Sequence, residues 1–331
     1  MKRLFTYALM LGAVAFLAPA CNQENGPLGD DLLGAQLYVD IQGLPMGTKA
    51  DGDVEYQTEQ EKKVSQLDVA IYDADGNLEW NKHYDESSAV GRKIISGLSE
   101  GQKTIAVAAN IAFTVPQTIA EFKAIATALN DNAVDNFVMT GTGEGIASTN
   151  PEPVVVRLER VAAKFLLDGT ITTEWESDPP TSFDIETIYL ANVAVNSNFD
   201  DDGSAGPEIN LRSTTELTTD ELYANFTVAQ KSRWSSGEKF NGENTRFYGY
   251  PNSTDTRTAI LIKAKYDGRD TYYPLVIDQA INNNTLYHIG NIKITTEGME
   301  NPWDEWVKVK IIFDIQVVDW DYWDIYPEYT F

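Results

Sequence analysis

The stretch VSQLDVAIYDADGNLEWNKHY, Val64 to Tyr84, reads as two strands folded about a tight turn. Leu67, Val69 and Ile71 fall at alternate positions, the period at which successive strand side chains point to opposite faces. DADGN, Asp73 to Asn77, has the Asp, Gly and Asn that a hairpin turn requires. Its acidic residues invite a calcium-loop reading, but Gly76 is out of step with the ligand positions and no glutamate closes the loop at the required distance. A hairpin is expected, and no bound metal.

The same period recurs on both sides. In LLGAQLYVDIQGLP, Leu32 to Pro45, the apolar Ala35, Leu37, Val39 and Ile41 alternate with Gln36, Tyr38 and Asp40. Charged chain without apolar periodicity follows, from Met46 to Lys63, and reads as a long exposed loop. Gly101 to Phe113 is another strand. Ile119, Phe122, Ile125 and Leu129, behind Pro116, have helical spacing. GTGEGIAS, Gly141 to Ser148, reads as a surface loop, because no strand-to-helix context supports a phosphate-binding role. A proline-marked break at Asn150 to Pro153 suggests a domain boundary. Strand-like runs then occupy Ile185 to Phe199, Thr256 to Ile277 and Thr285 to Gly298, with a short helix expected at Thr218 to Phe226 and a solvated acidic loop at Asp200 to Asp202. Short strands and turns at intervals of about ten residues predict a mainly β chain of two β-sandwich domains with a few short helices.

The chain has 331 residues, with 25 Lys plus Arg against 50 Asp plus Glu, a net charge of −25. That charge repels nucleic acid and anionic membrane surfaces, so no nucleic-acid partner is expected. The start, MKRLFTYALMLGAVAFLAPAC, joins Lys2 and Arg3 to an apolar run that ends at Cys21, the only cysteine. This is a secretory signal, and the cysteine after small residues resembles the lipidated residue of a bacterial lipoprotein. With Cys21 acylated, the fold must stand without a disulfide. His83 and His288 are the only histidines, and no nucleophile motif or zinc-protease motif is present. The expectation is a protein without catalytic residues or cofactors, given over to binding or assembly.

The final stretch, Trp306 to Phe331, changes phase. Val307, Val309, Ile311, Phe313, Ile315 and Val317 hold odd positions; Val318, Trp320 and Tyr322 hold even ones; Trp323, Ile325, Tyr329 and Phe331 return to odd. A strand cannot switch faces without a bulge or break, so the domain's own strand should end near Val318 to Trp320 and leave Asp321 to Phe331 as a separate segment.

Five stretches share a further likeness: Gly97 to Asn110, Arg157 to Phe165 (RLERVAAKF), Phe247 to Ser253 (FYGYPNS), Ala259 to Ile277 and Asn283 to Gly298. With the lipoprotein signal and the tail beginning VVDW, they resemble the fimbrillins, subunits of the type V pili of certain Gram-negative bacteria. The resemblance implies two transthyretin-like β-sandwich domains and export as an outer-membrane lipoprotein precursor, palmitoylated at Cys21. A trypsin-like protease then removes a first strand, and the vacated groove takes a strand from the next subunit to build a cell-surface fimbrium that supports adhesion. Carried onto this chain, residues 1–20 are the signal, 21–49 the leader and removable strand, 50–155 the N-terminal domain and 156–331 the C-terminal domain with its tail. The displaced strand buries Leu37, Val39 and Ile41, and the cut falls between Lys49 and Ala50. Arginine is common there in the family. Lys62 and Lys63 are rival sites closer to the next strand. The donor segment would insert Trp323, Ile325, Tyr329 and Phe331, with Pro327 where no ladder bond is needed. Implied partners are other copies of the chain, related pilus subunits, the maturation protease and, before maturation, the outer membrane through the lipid anchor. The competing expectation is a monomeric surface glycan-binding lipoprotein, with Trp234, Trp303 and Trp306 as sugar-stacking platforms.

Overall fold

In the computed structural model the described residues are 34–44, 58–128, 131–133, 135–167, 169–194, 196–199, 239–240, 246–252, 257–302 and 309–320. The first half carries β1 (Ala35–Gln42), β2 (Gln66–Tyr72), β3 (Leu78–Asp85), β4 (Gly91–Leu98), β5 (Gly101–Ala109), β6 (Ala126–Ala128), β7 (Met139–Ala147), β8 (Pro153–Arg157) and β9 (Glu159–Arg160). The second carries β10 (Ala163–Leu167), β11 (Gly169–Thr173), β12 (Phe183–Ala191), β13 (Asn196–Asn198), β14 (Lys239–Phe240), β15 (Arg246–Gly249), β16 (Ala259–Tyr266), β17 (Arg269–Val276), β18 (Thr285–Ile294) and β19 (Ile311–Asp319). The one α-helix among the described residues, α1 (Ile119–Lys123), is short, so the chain is mainly β.

The strands sort by sequence. Up to Arg160 they form the sheets β4-β1-β8 and β3-β2-β5-β7-β9; from Ala163 they form β12-β16-β17 and β14-β11-β18-β10-β15, with β19 on the opposite edge of β18 from β10. Among the described residues one ladder, β6 with β13, joins the two sets. Leu37 of β1, Val69 of β2, Val107 of β5, Phe165 of β10, Ile262 of β16 and Ile289 of β18 all belong to one continuous apolar core.

The expected hairpin is present as β2 and β3. Asp73 Oδ1 accepts the N–H groups of Asp75 at 3.0 Å and Asn77 at 2.8 Å, and Gly76 takes the left-handed φ of +83°. The carboxylate serves the turn itself, as an Asx motif does. The helix expected to run from Ile119 to Leu129 is cut short. Thr118 and Glu121 form a capping box that starts it, but from Ala126 the backbone pairs with β13, and that ladder takes the groups a further turn would need. Phe122 packs edge-on against Phe113 and Phe199, so the helical spacing recorded a buried aromatic contact.

Gly141 to Ser148 is not a loop: nearly all of it is strand β7. Its glycines alternate because the facing sheet comes too close for side chains. A Cβ on Gly141 would lie 2.2 Å from the Arg157 carbonyl oxygen, one on Gly143 2.8 Å from Val156 Cγ2, and one on Gly145 2.3 Å from Val154 Cγ2. Beyond the proline-marked break, the chain up to Leu167 is divided into β8, β9 and β10.

Candidate functional site

β1 is the first strand among the described residues yet sits in the middle of its sheet. It pairs antiparallel with β4, from Ala35 opposite Leu98 to Ile41 opposite Gly91, and parallel with β8, from Tyr38 opposite Pro153 to Gln42 opposite Arg157. A mutual pair of backbone bonds with Ser148, at 2.8 and 3.1 Å, fixes Gln36, and the Leu158 N–H donates to the Gln42 carbonyl at 3.0 Å. β4 and β8 are linked in that sheet only through β1. Without it, two strands would face each other across a gap, each with an unpaired ladder.

Leu37, Val39 and Ile41 are all buried, as the alternation predicts, and Leu44 beyond them is buried too. Burying the three larger aliphatic side chains of β1 contributes roughly 5–9 kcal/mol, at about 1.5–3 kcal/mol each. Leu37 Cδ1 reaches within 3.2 Å of where a Cβ on Gly145 would lie, so the glycine row of β7 also leaves room for β1. The proposed cut at Lys49 and Ala50, the lipidation residue Cys21, the donor residues Trp323, Ile325, Tyr329 and Phe331, and Trp234, Trp303 and Trp306 all lie outside the described residues. Of the rival sites, Lys62 is held in a short 3-10 turn (Gln60–Lys62), with its ammonium 3.4 Å from Glu59.

A second group of residues, given no role in the sequence analysis, gathers where the two strand sets meet. Glu61, fully buried, accepts hydrogen bonds from Lys164 Nζ at 2.8 and 3.0 Å, from the Thr58 N–H at 2.8 Å and from the Tyr248 hydroxyl. Its backbone carbonyl accepts from Arg160 Nε at 3.0 Å. Trp320, one residue past β19, is 1% exposed. The Arg160 guanidinium lies 4.1 Å and the Lys164 ammonium 5.3 Å from its ring centroid; Tyr248 stacks on it, and Phe137 meets it edge-on. The Trp320 N–H donates to the Asn284 carbonyl at 3.0 Å, and Asn284 Oδ1 accepts from Arg160 Nη1 at 3.1 Å.

Burial alone would raise the pKa of Glu61. The charge of Lys164 and the bonds from Lys164, Tyr248 and the Thr58 N–H outweigh it and hold the carboxyl below its ordinary value. Burial brings Lys164 down to about 8 against the pull of Glu61, with Arg246 and Arg160 adding to the fall. Both shifts are downward, which favours the charged form of Glu61 and disfavours that of Lys164, because the carboxylate is ringed by donors while the ammonium shares Glu61 with two guanidiniums. Both groups are charged at neutral pH. Burial and the nearby Glu61 carboxylate keep the Tyr248 phenol protonated, and it acts as a donor.

The only sequence trace of this group was Arg160 and Lys164 interrupting the apolar run from Val154 to Leu167; nothing in the polar stretch around Glu61 marked it as buried. Of the two phase changes of the tail, the first lies among the described residues. Ile311, Phe313 and Ile315 are the more covered residues early in β19, whereas at its end the even residues Val318 and Trp320 are the covered ones. Along β19 the irregularity lies in its partner, between Gly290 and Lys293 of β18.

Residues 35–155, from the start of β1 into β8, match the family model described as Major fimbrial subunit protein (FimA). Over that stretch the chain is similar to the major fimbrial subunit proteins. The fold is shared with a fimbrilin (fimA) from Porphyromonas gingivalis, at 16% identity and a TM-score of 0.59, over 87% of this chain and 98% of that one. A candidate cell adhesion protein from Parabacteroides distasonis superposes at 18% identity and a TM-score of 0.61, over 87% and 98% of the two chains. Another from Bacteroides eggerthii does so at 17% and 0.60, over 88% and 98%. No curated protein sequence matches this chain. Among its described residues no helix is long and apolar enough to cross a membrane, and no group of three or more His, Cys, Asp or Glu is placed to hold a metal ion.

Proposed function

We propose that this protein is a fimbrillin, a structural pilus subunit exported as a lipoprotein through Cys21, trimmed after Lys49 and polymerised by strand exchange. The supporting observation is the placement of β1: a buried strand between two others that do not pair with each other, joined to the rest of the subunit through one end. Cutting the 45–57 segment frees β1 without breaking any other covalent connection. Its departure exposes a groove lined with apolar side chains and open ladders, and an incoming strand satisfies both. Asp321 to Phe331 is the donor in this reading, and Trp323, Ile325, Tyr329 and Phe331 would take the inward positions. The 50–155 and 156–331 domains are read from the sorting of the strands, whose change of sheet falls just beyond Arg160.

The test is electron microscopy and gel analysis of trypsin-trimmed protein. Filaments and SDS-resistant ladders are expected, and deleting Asp321 to Phe331 should leave folded monomers. Ladders that survive the deletion would remove the tail from the mechanism. Cys21→Ala should abolish labelling by fatty acid, and labelling that persists would refute lipidation at this residue.

A further inference from the structure

Strand exchange needs a groove and a donor; it does not by itself need a buried ion pair at the root of the donor. Three side chains here each touch both Glu61 and Trp320. Lys164 bonds the carboxylate and lies 5.3 Å from the indole centroid, Arg160 bonds the Glu61 carbonyl and lies 4.1 Å from it, and Tyr248 donates to the carboxylate while its ring stacks on the indole. Glu61 follows the 45–57 segment, and Trp320 immediately precedes Asp321. We infer that Glu61, Arg160, Lys164 and Tyr248 are positioning residues for strand exchange: they fix Trp320 as the point from which the donor segment leaves and tie it to the chain that follows the processed loop. This inference rests on the strand-exchange reading above.

Three observations carry it. The contacts named above that build the cluster run among Thr58, Glu61, Phe137, Arg160, Lys164, Tyr248, Asn284 and Trp320, and these do not depend on β1. Along β19 the side chains before Trp320 are half-buried or exposed, Ile312 at 58% and Val317 at 39%, so the strand is secured at its end more than along its body. Buried charges are a poor source of stability compared with apolar packing of the same volume, and their best-attested use is to fix one arrangement among several. A donor segment with a fixed origin searches less space for its groove, which shows in the association rate.

The experiment separates donating from accepting. As donor, uncut full-length protein carries its tail but keeps its own groove filled; as acceptor, trimmed protein lacking 321–331 has a groove and no tail. Glu61→Gln and Tyr248→Phe, the latter losing one hydroxyl and keeping its ring, are introduced into each form. Donor variants should join wild-type acceptor about tenfold more slowly. The same variants as acceptors should take up a synthetic 321–331 peptide at the wild-type rate. Equal loss in both roles would reduce the cluster to general stability and overturn the proposal, as would a donor rate unchanged in a variant whose Trp320 amide exchanges hydrogen faster. If wild-type acceptor takes up neither peptide nor tail, strand exchange itself fails, and the positioning role with it. Peptide uptake that proceeds while cluster variants leave donation untouched defeats the positioning role alone.

Discussion

Replacing Glu61 by Gln would take from the buried Lys164 ammonium the carboxylate that it bonds at 2.8 Å. Breaking one side of a buried pair costs about 3–5 kcal/mol, and urea unfolding of Glu61→Gln should show a loss of that size. The pH dependence follows from the sign of the shift. The Glu61 carboxyl is held below its ordinary 4.5 in the folded chain, so its contribution is complete above pH 4.5 and is lost as pH falls toward the folded value. Wild type should therefore lose stability more steeply than Glu61→Gln below pH 4.5; parallel acid limbs in the two proteins would mean that the carboxylate is not favoured as described. For Lys164, about 8 folded against an ordinary 10.5, the unfolded chain holds the extra proton between those values, and its own contribution to stability rises with pH across that window. The glycines of β7 test close packing instead of charge. Gly141→Ala must displace the Arg157 carbonyl, whereas Gly145→Ala meets the Val154 side chain, so both should lower the melting temperature and Gly141→Ala by more. Overpacking of this kind costs roughly 1–3 kcal/mol.

At the scale of elements, β1 is held by two ladders and several buried side chains, so cutting the loop should not by itself expel it. After trypsin treatment the β1 fragment should elute with the body of the protein on gel filtration and be released at a lower urea concentration than unfolds the remainder. Val39→Asp buries an unpaired carboxylate in the groove, and its fragment should be lost on cutting. Retention of the mutant fragment would show that the ladders alone hold the strand. Elements whose partners are near in sequence, or whose two faces differ, were legible: β1 from its alternation, β2 and β3 from the DADGN turn, the end of β19 from its change of phase. Those defined by distant partners were not. Ala126 to Ala128 becomes a strand because Asn196 to Asn198 pairs with it, and Gly141 to Gly145 becomes a strand because Val154 and Val156 press on it. The groove was visible through β1, but the Glu61 cluster depends on residues up to 187 positions apart meeting in the fold, and spacing does not encode that.

At the scale of the whole molecule, the chain carries a net charge of −25, and the proposed trimming after Lys49 would remove nearly as many basic as acidic residues. In the proposed strand exchange, like-charged subunits must approach to within contact before a tail enters a groove. Their repulsion acts over the Debye length, about 10 Å at 0.1 M salt and about 3 Å at 1 M. The seated strand is held differently, by ladder hydrogen bonds and apolar burial that salt screens little. Ionic strength should then act on joining and not on parting. Raising sodium chloride from about 0.05 to 0.5 M should accelerate assembly of trimmed protein several-fold, while the rate at which preformed joints exchange with excess labelled 321–331 peptide stays nearly constant. Light scattering follows the first rate and fluorescence the second. An assembly rate that falls with salt would mean that complementary charged patches, not the strand, govern the encounter, and the donor would then be captured only after the subunits had docked by another surface.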